Sequence, residues 1–263
     1  MTDIHLPDPD YPRPLRAEGG KPYYWRPVGY PVDQFLDQVN DWDLLAHMGV
    51  PTRFRSHVID MYTEPFPPEV ESWVASMRYI FRPPPSLQKT KPDLCGMGLV
   101  LWGESGTRKT TTAAAILLRL VRMRVPNLDP NPLPLQGGTY AGSCMGRFVS
   151  WQDAAETLRE GVTESTDDGG ASEALLLRRS MRCEDPLLRA ADFLVLDDIS
   201  RERTTEWNLG EIHRIMRYRH DNARPVIVTT NTDPQDWVRR YDEVFAAFLD
   251  RAFFKAEFTP VAL

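Results

Sequence analysis

GLVLWGESGTRKTTTAAAILLRLV, Gly98 to Val121, sets a buried strand, a glycine-punctuated turn and a helix in unbroken succession. The turn has the layout of a phosphate-binding P-loop, G-x-x-x-x-G-K-[ST], running from Gly103 to Thr110. Leu99 to Trp102 is the apolar strand, and the helix opens on Lys109-Thr110, with small and aliphatic residues from Thr111 to Arg124. In such a turn the backbone N–H groups from Ser105 to Thr110 point inward and cradle phosphate oxygens, aided by the helix N-terminus. Lys109 would reach the outer phosphates, and the Thr110 hydroxyl would take a magnesium position. The expected cofactor set is a nucleotide with Mg²⁺. Gly103, Glu104, Ser105, Gly106, Thr107, Arg108, Lys109, Thr110 and Thr111 form the expected binding loop.

One residue departs from the pattern. Arg108 stands where the second glycine belongs. Glycine there allows close backbone approach and unusual dihedrals at little steric cost. An arginine must hold its Cβ clear of the nucleotide, and two orientations stand open: outward, or as an added cation beside the phosphates. The exchange puts hydrolysis in question more than binding.

The remaining composition bounds the class. A chain of 263 residues with 42% hydrophobic and 26% charged residues has material for a real core. A net charge of −6 argues against coating nucleic acid by bulk electrostatics, although local basic stripes stay open. Cys95, Cys144 and Cys183 are scattered and odd in number, so neither a zinc nor a disulfide framework follows, and a reducing cytoplasm fits. With no secretory leader and no long apolar run, the expectation is a cytoplasmic protein without a membrane partner.

The first 31 residues hold seven of the 23 prolines together with Tyr11, Tyr23, Tyr24, Trp25 and Tyr30. Such an arm is expected to be extended, either docking on a partner or packing along its own domain. Asp33 to Met48 reads as one helix, and Pro68 to Phe81 as another, halted by Pro83-Pro84-Pro85. Asn127 to Gly146 reads as a long loop, and Arg147 to Trp151 as a strand leading into a helix at Gln152 to Arg159. Gly161 to Ser172 reads as a solvent loop, and Glu173 to Cys183 as a helix. Ala191 to Ser200, ADFLVLDDIS, is a second buried strand, and Pro225 to Thr230, PVIVTT, a third. Strands alternating with helices predict an α/β fold with a parallel sheet and a site at the carboxyl strand ends. The expected division is an arm and helix over 1–46 and an ATPase domain over 47–263.

The strand ends carry the remaining chemistry. Asp197 and Asp198 follow four apolar residues and read as a magnesium-holding Walker B pair. Asp197 would hold the hydrated ion, and Asp198 would orient or deprotonate the attacking water. Asn231 is either a sensor of the γ-phosphate or a turn asparagine before Asp233-Pro234. Arg251, after an apolar helical stretch, is either an arginine offered to a neighbouring subunit's γ-phosphate or an ordinary surface residue. Arg201, Arg203, Arg214, Arg217 and Arg219 form a basic stretch that faces DNA, a neighbouring subunit, or solvent.

In order and spacing, GVPTRFR, GESGTRKT, RFVSWQDAAETLRE, FLVLDD, RPVIVTTN and LDRAF resemble the AAA+ ATPases of the DnaC/IstB branch. The likeness runs from about Met48 to the C-terminus. It implies Walker A roles for Lys109 and Thr110, Walker B roles for Asp197 and Asp198, sensor 1 at Asn231 and an arginine finger at Arg251. GVPTRFR is similar to the segment that lies near the adenine in that branch. The 32 residues after Asn231 suit the branch's reduced C-terminal lid. The resemblance further implies an ATP-bridged oligomer, single-stranded DNA as a ligand, and a replicative helicase of the DnaB type gripped through residues 1–46. A proline-rich arm on a short chain would suit a phage-encoded loader, placing the protein in a bacterial or phage-infected cytoplasm. Two other readings stand: an IstB-like transposition helper on duplex DNA, and a nucleotide-binding adaptor in which Arg108 has disabled hydrolysis.

Overall fold

The computed structural model describes residues 36, 39–80, 97–123, 146–163, 193–200, 205–221 and 224–259. Five strands form one parallel sheet: β1 (Gly98–Gly103), β2 (Gly146–Ser150), β3 (Phe193–Asp197), β4 (Val226–Thr230) and β5 (Phe253–Phe258), ordered β2-β3-β4-β1-β5. Each strand sends alternate side chains to opposite faces, as the period of two requires. Leu99, Leu101, Phe193, Val195 and Ile227 enter one core. Val100, Leu194, Leu196, Val226 and Val228 enter the other.

Helices cover both faces. Over the first lie α1 (Asp41–His47), α2 (Thr52–Met61), α3 (Pro68–Ile80) and α4 (Lys109–Arg122). Over the second lie α5 (Trp151–Thr163), α6 (Glu206–Asp221), α7 (Trp237–Arg240) and α8 (Glu243–Ala252). In α4, the segment Ala113 to Leu118 is buried without a break, which suits a helix wedged between the sheet and other helices.

Two sequence expectations change. Asp33 to Met48 is not one helix: Asn40 takes an extended conformation and its side chain accepts from the Asp43 N–H, so α1 starts afresh at Asp41. Helix α5 runs on to Thr163, past the glycine at which a loop was expected. Between Phe253 and Phe258, which the sequence reading left unassigned, the chain is a strand that pairs in parallel with β1. The expected loop over Asn127 to Gly146 and the helix over Glu173 to Cys183 lie outside the described residues, apart from Gly146, which is the first residue of β2.

Two arginines at the C-terminal end of α4 tie the first three helices to it. Arg119 donates to the Tyr62 and Glu64 carbonyls, pairs with Glu71 at 2.7 Å, and lies 3.8 Å over the Phe66 ring. Arg122 pairs with Asp41 and donates to the carbonyls of Leu36 and Val39. Because α1 buries Leu44 and Leu45 in the same core as α4, residues 41–46 pack with the sheet domain. Arg119→Ala strips three backbone or side-chain acceptors of one donor and uncovers Phe66. It is expected to cost about 2 to 4 kcal/mol, read by urea denaturation.

Candidate functional site

The carboxyl ends of β1, β3 and β4 lie side by side, because the strand order places β1 beside β4 and β4 beside β3. The loop from Gly103 to Arg108 leaves β1 there. It needs residues with positive φ at three places: Gly103 at 139°, Gly106 at 83° and Arg108 at 63°. At Gly103 glycine is compulsory, since a Cβ would sit 2.1 Å from the Phe258 carbonyl oxygen of β5. At Gly106 the surroundings are open, and the backbone angle alone asks for glycine.

Arg108 adopts the left-handed conformation that the missing glycine would have taken, with ψ of 17°. Its side chain is exposed and makes no capping hydrogen bond to the helix. The loop therefore keeps its path at a strain of about 1 kcal/mol.

Lys109 turns inward, 7% exposed, and donates to the Gly103 carbonyl at 2.9 Å, the Glu104 carbonyl, and Thr107 Oγ1 at 3.1 Å. Thr107 in turn donates to the Glu104 carbonyl at 2.8 Å. Burial pushes the Lys109 ammonium below its ordinary pKa, opposed by the charges of Asp198 and Asp197. A cation held among carbonyls beside two carboxylates is one that a polyanion would draw out. Ser105 and Glu104 are exposed at the loop tip, and Thr111 is buried in the first turn of α4.

Asp197 ends β3 under two hydroxyls. Thr110 Oγ1 donates to its Oδ1 at 2.9 Å, and Thr229 Oγ1 of β4 donates to the same oxygen at 2.6 Å. Burial, the larger influence, raises the pKa of Asp197, and the two hydroxyls oppose it. Asp198 follows in a left-handed conformation, φ 55°, unusual for a residue with a side chain. Three bonds hold it there. Its N–H donates to Thr229 Oγ1 at 2.8 Å, the Ile199 N–H donates to the Thr229 carbonyl at 3.1 Å, and Ser200 Oγ donates to Asp198 Oδ1 at 3.2 Å.

Asn231, exposed at the end of β4, joins through its backbone, its N–H donating to Ser200 Oγ at 3.1 Å. Thr110, Asp197, Asp198 and Asn231 are thus linked through Thr229 and Ser200, two residues that sequence reading passed over. Thr229 lies opposite Asp197 only because of the β3–β4 register, in which Leu196 faces Val228. The one signal in the sequence was a pair of threonines just before Asn231.

Arg251 stands apart, exposed near the end of α8, with its Nε donating to the Ala247 carbonyl. Of the three described arginines in the basic stretch, one is buried and two are exposed in surface ion pairs. Arg219 is fully buried and donates to the Pro225 carbonyl, while Arg214 pairs with Glu211 and Arg217 with Asp221. Arg201 and Arg203 lie outside the described residues.

Among the described residues, no group of three or more His, Cys, Asp or Glu gathers as a metal site. One hydroxyl and one carboxylate suit a magnesium ion that keeps waters and takes phosphate oxygens, the usual habit of that cation. Among the same residues, no helix is long and apolar enough to cross a membrane.

No family model and no curated protein matches the sequence. Solved structures do. A crystal structure of the DnaC helicase loader is 20% identical with a TM-score of 0.51, covering 80% of this chain and 100% of its own. Domain III of the Thermotoga maritima replication initiation protein DnaA is 13% identical, covers 75% of this chain and 65% of its own, and has a TM-score of 0.48. A DnaI crystal structure is 18% identical, covers 82% of this chain and 93% of its own, and scores 0.43. The fold is that of the DnaC structure, an α/β domain with a five-stranded parallel sheet flanked by helices.

Proposed function

We propose that this chain is an ATP-binding AAA+ protein that loads a replicative DNA helicase onto single-stranded DNA, with ATP binding and hydrolysis as its release switch. The observation that carries the nucleotide site is the Thr110–Asp197 hydrogen bond, which joins the P-loop helix to the end of β3. The loader reading draws on the similarity to the DnaC helicase loader over the whole of that chain. In this reading Gly103 to Thr111 wrap the phosphates, Lys109 neutralises the outer ones, and Thr110 with Asp197 holds the magnesium ion. ATP with its magnesium ion, when bound, supplies the phosphoryl group to be transferred to water. Asp198 orients that water, Asn231 stands at the neighbouring strand end as sensor, and Arg251 is offered to the next subunit of an ATP-bridged oligomer. Residues 1–46 supply the helicase grip, the segment over 1–31 above all.

The test is native mass spectrometry of the chain mixed with its host's replicative helicase, with and without ATP. A defined complex whose stability depends on nucleotide is expected, and removal of residues 1–31 should abolish it while ATP binding survives. No complex in either condition would move the assignment to the IstB-like helper, with duplex DNA and a transposase as ligands.

The adaptor reading turns on Arg108. Since its side chain faces solvent while its backbone already follows the glycine path, Arg108→Gly should leave the turnover rate within about threefold. Relief of the left-handed strain, less the added freedom of the unfolded chain, should stabilise the fold by about 0.5 kcal/mol. A gain of turnover of a hundredfold or more in that variant would instead establish a nucleotide-binding adaptor disabled by its arginine.

A further inference from the structure

We propose that Thr229 is a positioning residue whose hydroxyl aims both carboxylates at the end of β3 and thereby sets how tightly the site takes a divalent cation with its nucleotide. The inference rests on reading the site as a magnesium–nucleotide centre. Thr229 sits on β4, 2% exposed, and uses everything it has at this place. A hydroxyl carries one proton and two lone pairs. The proton goes to Asp197 Oδ1 at 2.6 Å, and a lone pair takes the Asp198 N–H at 2.8 Å. The carbonyl of the same residue takes the Ile199 N–H at 3.1 Å.

Two consequences follow from this one side chain. Thr110 reaches Oδ1 from the P-loop helix and Thr229 reaches it from the sheet, so the carboxylate is held from two separate elements. Among the described residues no hydrogen bond falls on Oδ2, and the plane fixed by the two donors leaves that oxygen to other ligands. The Asp198 N–H bond also pins a residue whose φ is 55°, a conformation that needs support from its surroundings. Losing the hydroxyl leaves Asp197 with Thr110 as its one hydroxyl donor, and takes the acceptor from the half-buried Asp198 amide.

The test uses the full chain and a fluorescent ATP (mant-ATP), bound first in EDTA and then titrated with magnesium chloride. Thr229→Val keeps the shape and removes the hydroxyl; Thr229→Ser keeps the hydroxyl and removes the methyl. The expected result is a metal-free affinity within about twofold of wild type for both. The magnesium concentration at half-effect should rise about tenfold in Val and stay unchanged in Ser, as for loss of a group supporting a metal ligand. An unshifted midpoint in Val, or an equal shift in Ser, overturns the proposal. Thr229→Ala serves if Val does not fold. If neither folds while Ser does, the residue is structural and the proposal fails. Wild-type binding of mant-ATP with no magnesium dependence sinks this inference alone, and no binding at all sinks the nucleotide reading with it.

Discussion

Lys109→Ala is expected to weaken ATP binding by about 100-fold or more, while the nucleotide-free protein keeps a melting temperature within a few degrees of wild type. The ammonium is one of the few charges buried in the fold, and its partners are two carbonyls and the Thr107 hydroxyl. Charge-assisted hydrogen bonds to phosphate are worth about 1.5 to 3 kcal/mol each, and about 2.7 kcal/mol is a hundredfold in affinity. The stability side is close to balanced. Losing those three bonds costs something, yet burial holds the Lys109 pKa down, so the protonated amine itself opposes folding at neutral pH. Isothermal titration with ATP and a thermal melt without it separate the two effects. Unchanged affinity would remove Lys109, and the loop with it, from the site.

Asp197→Asn is expected to do the opposite to stability, raising it by about 0.5 to 2 kcal/mol at neutral pH, as when a destabilised active-site group is relieved. The reason lies in the direction of the shift. Burial raises the folded-state pKa of Asp197 above its unfolded value, so the ionised carboxylate costs stability. That cost is fully present above the folded pKa and disappears as pH falls through it toward the unfolded value. Asparagine keeps an oxygen for Thr110 and Thr229 without the charge. The advantage of the variant over wild type should therefore be largest at neutral pH and vanish in acid, a difference of about 2 to 4 °C in melting temperature. Magnesium-dependent ATP binding should fall at least tenfold in the same variant. An Asp197→Asn protein less stable than wild type at neutral pH would show that the carboxylate is stabilising, against its burial.

Much of this was legible along the chain. The runs LVLW, FLVL and VIVTT announce strands buried on both faces, since neither alternates with polar residues. The strand, turn and helix from Gly98 to Arg122 were legible because an apolar run, two glycines and a helix-forming stretch answer to backbone geometry, a local matter. Even with Arg108 in the pattern the loop follows its course, the arginine absorbing the left-handed angle itself.

Two boundaries were not legible, one set by a local cap and the other by a neighbouring strand. At Asn40 an amide cap divides what looked like one helix, although its capping bond spans only three residues. At Phe253 the chain passes from α8 directly into a strand with no glycine or proline to mark the change. That strand exists because β1 offers an open edge, and Phe253 and Ala256 become buried on joining it.

By itself, then, the order of residues determined the element types around the P-loop, the alternation that makes the sheet parallel, and which residue types could meet a phosphate. Only the tertiary structure decided that Thr229 and Ser200 hold the two aspartates, that Arg219 is buried and not offered to DNA, and that Arg108 takes a left-handed backbone angle. The physical reason is range. Propensity and motif spacing act over a few residues, whereas the hydroxyl on Asp197 comes from a strand 32 positions away, placed by a sheet register that no short stretch encodes.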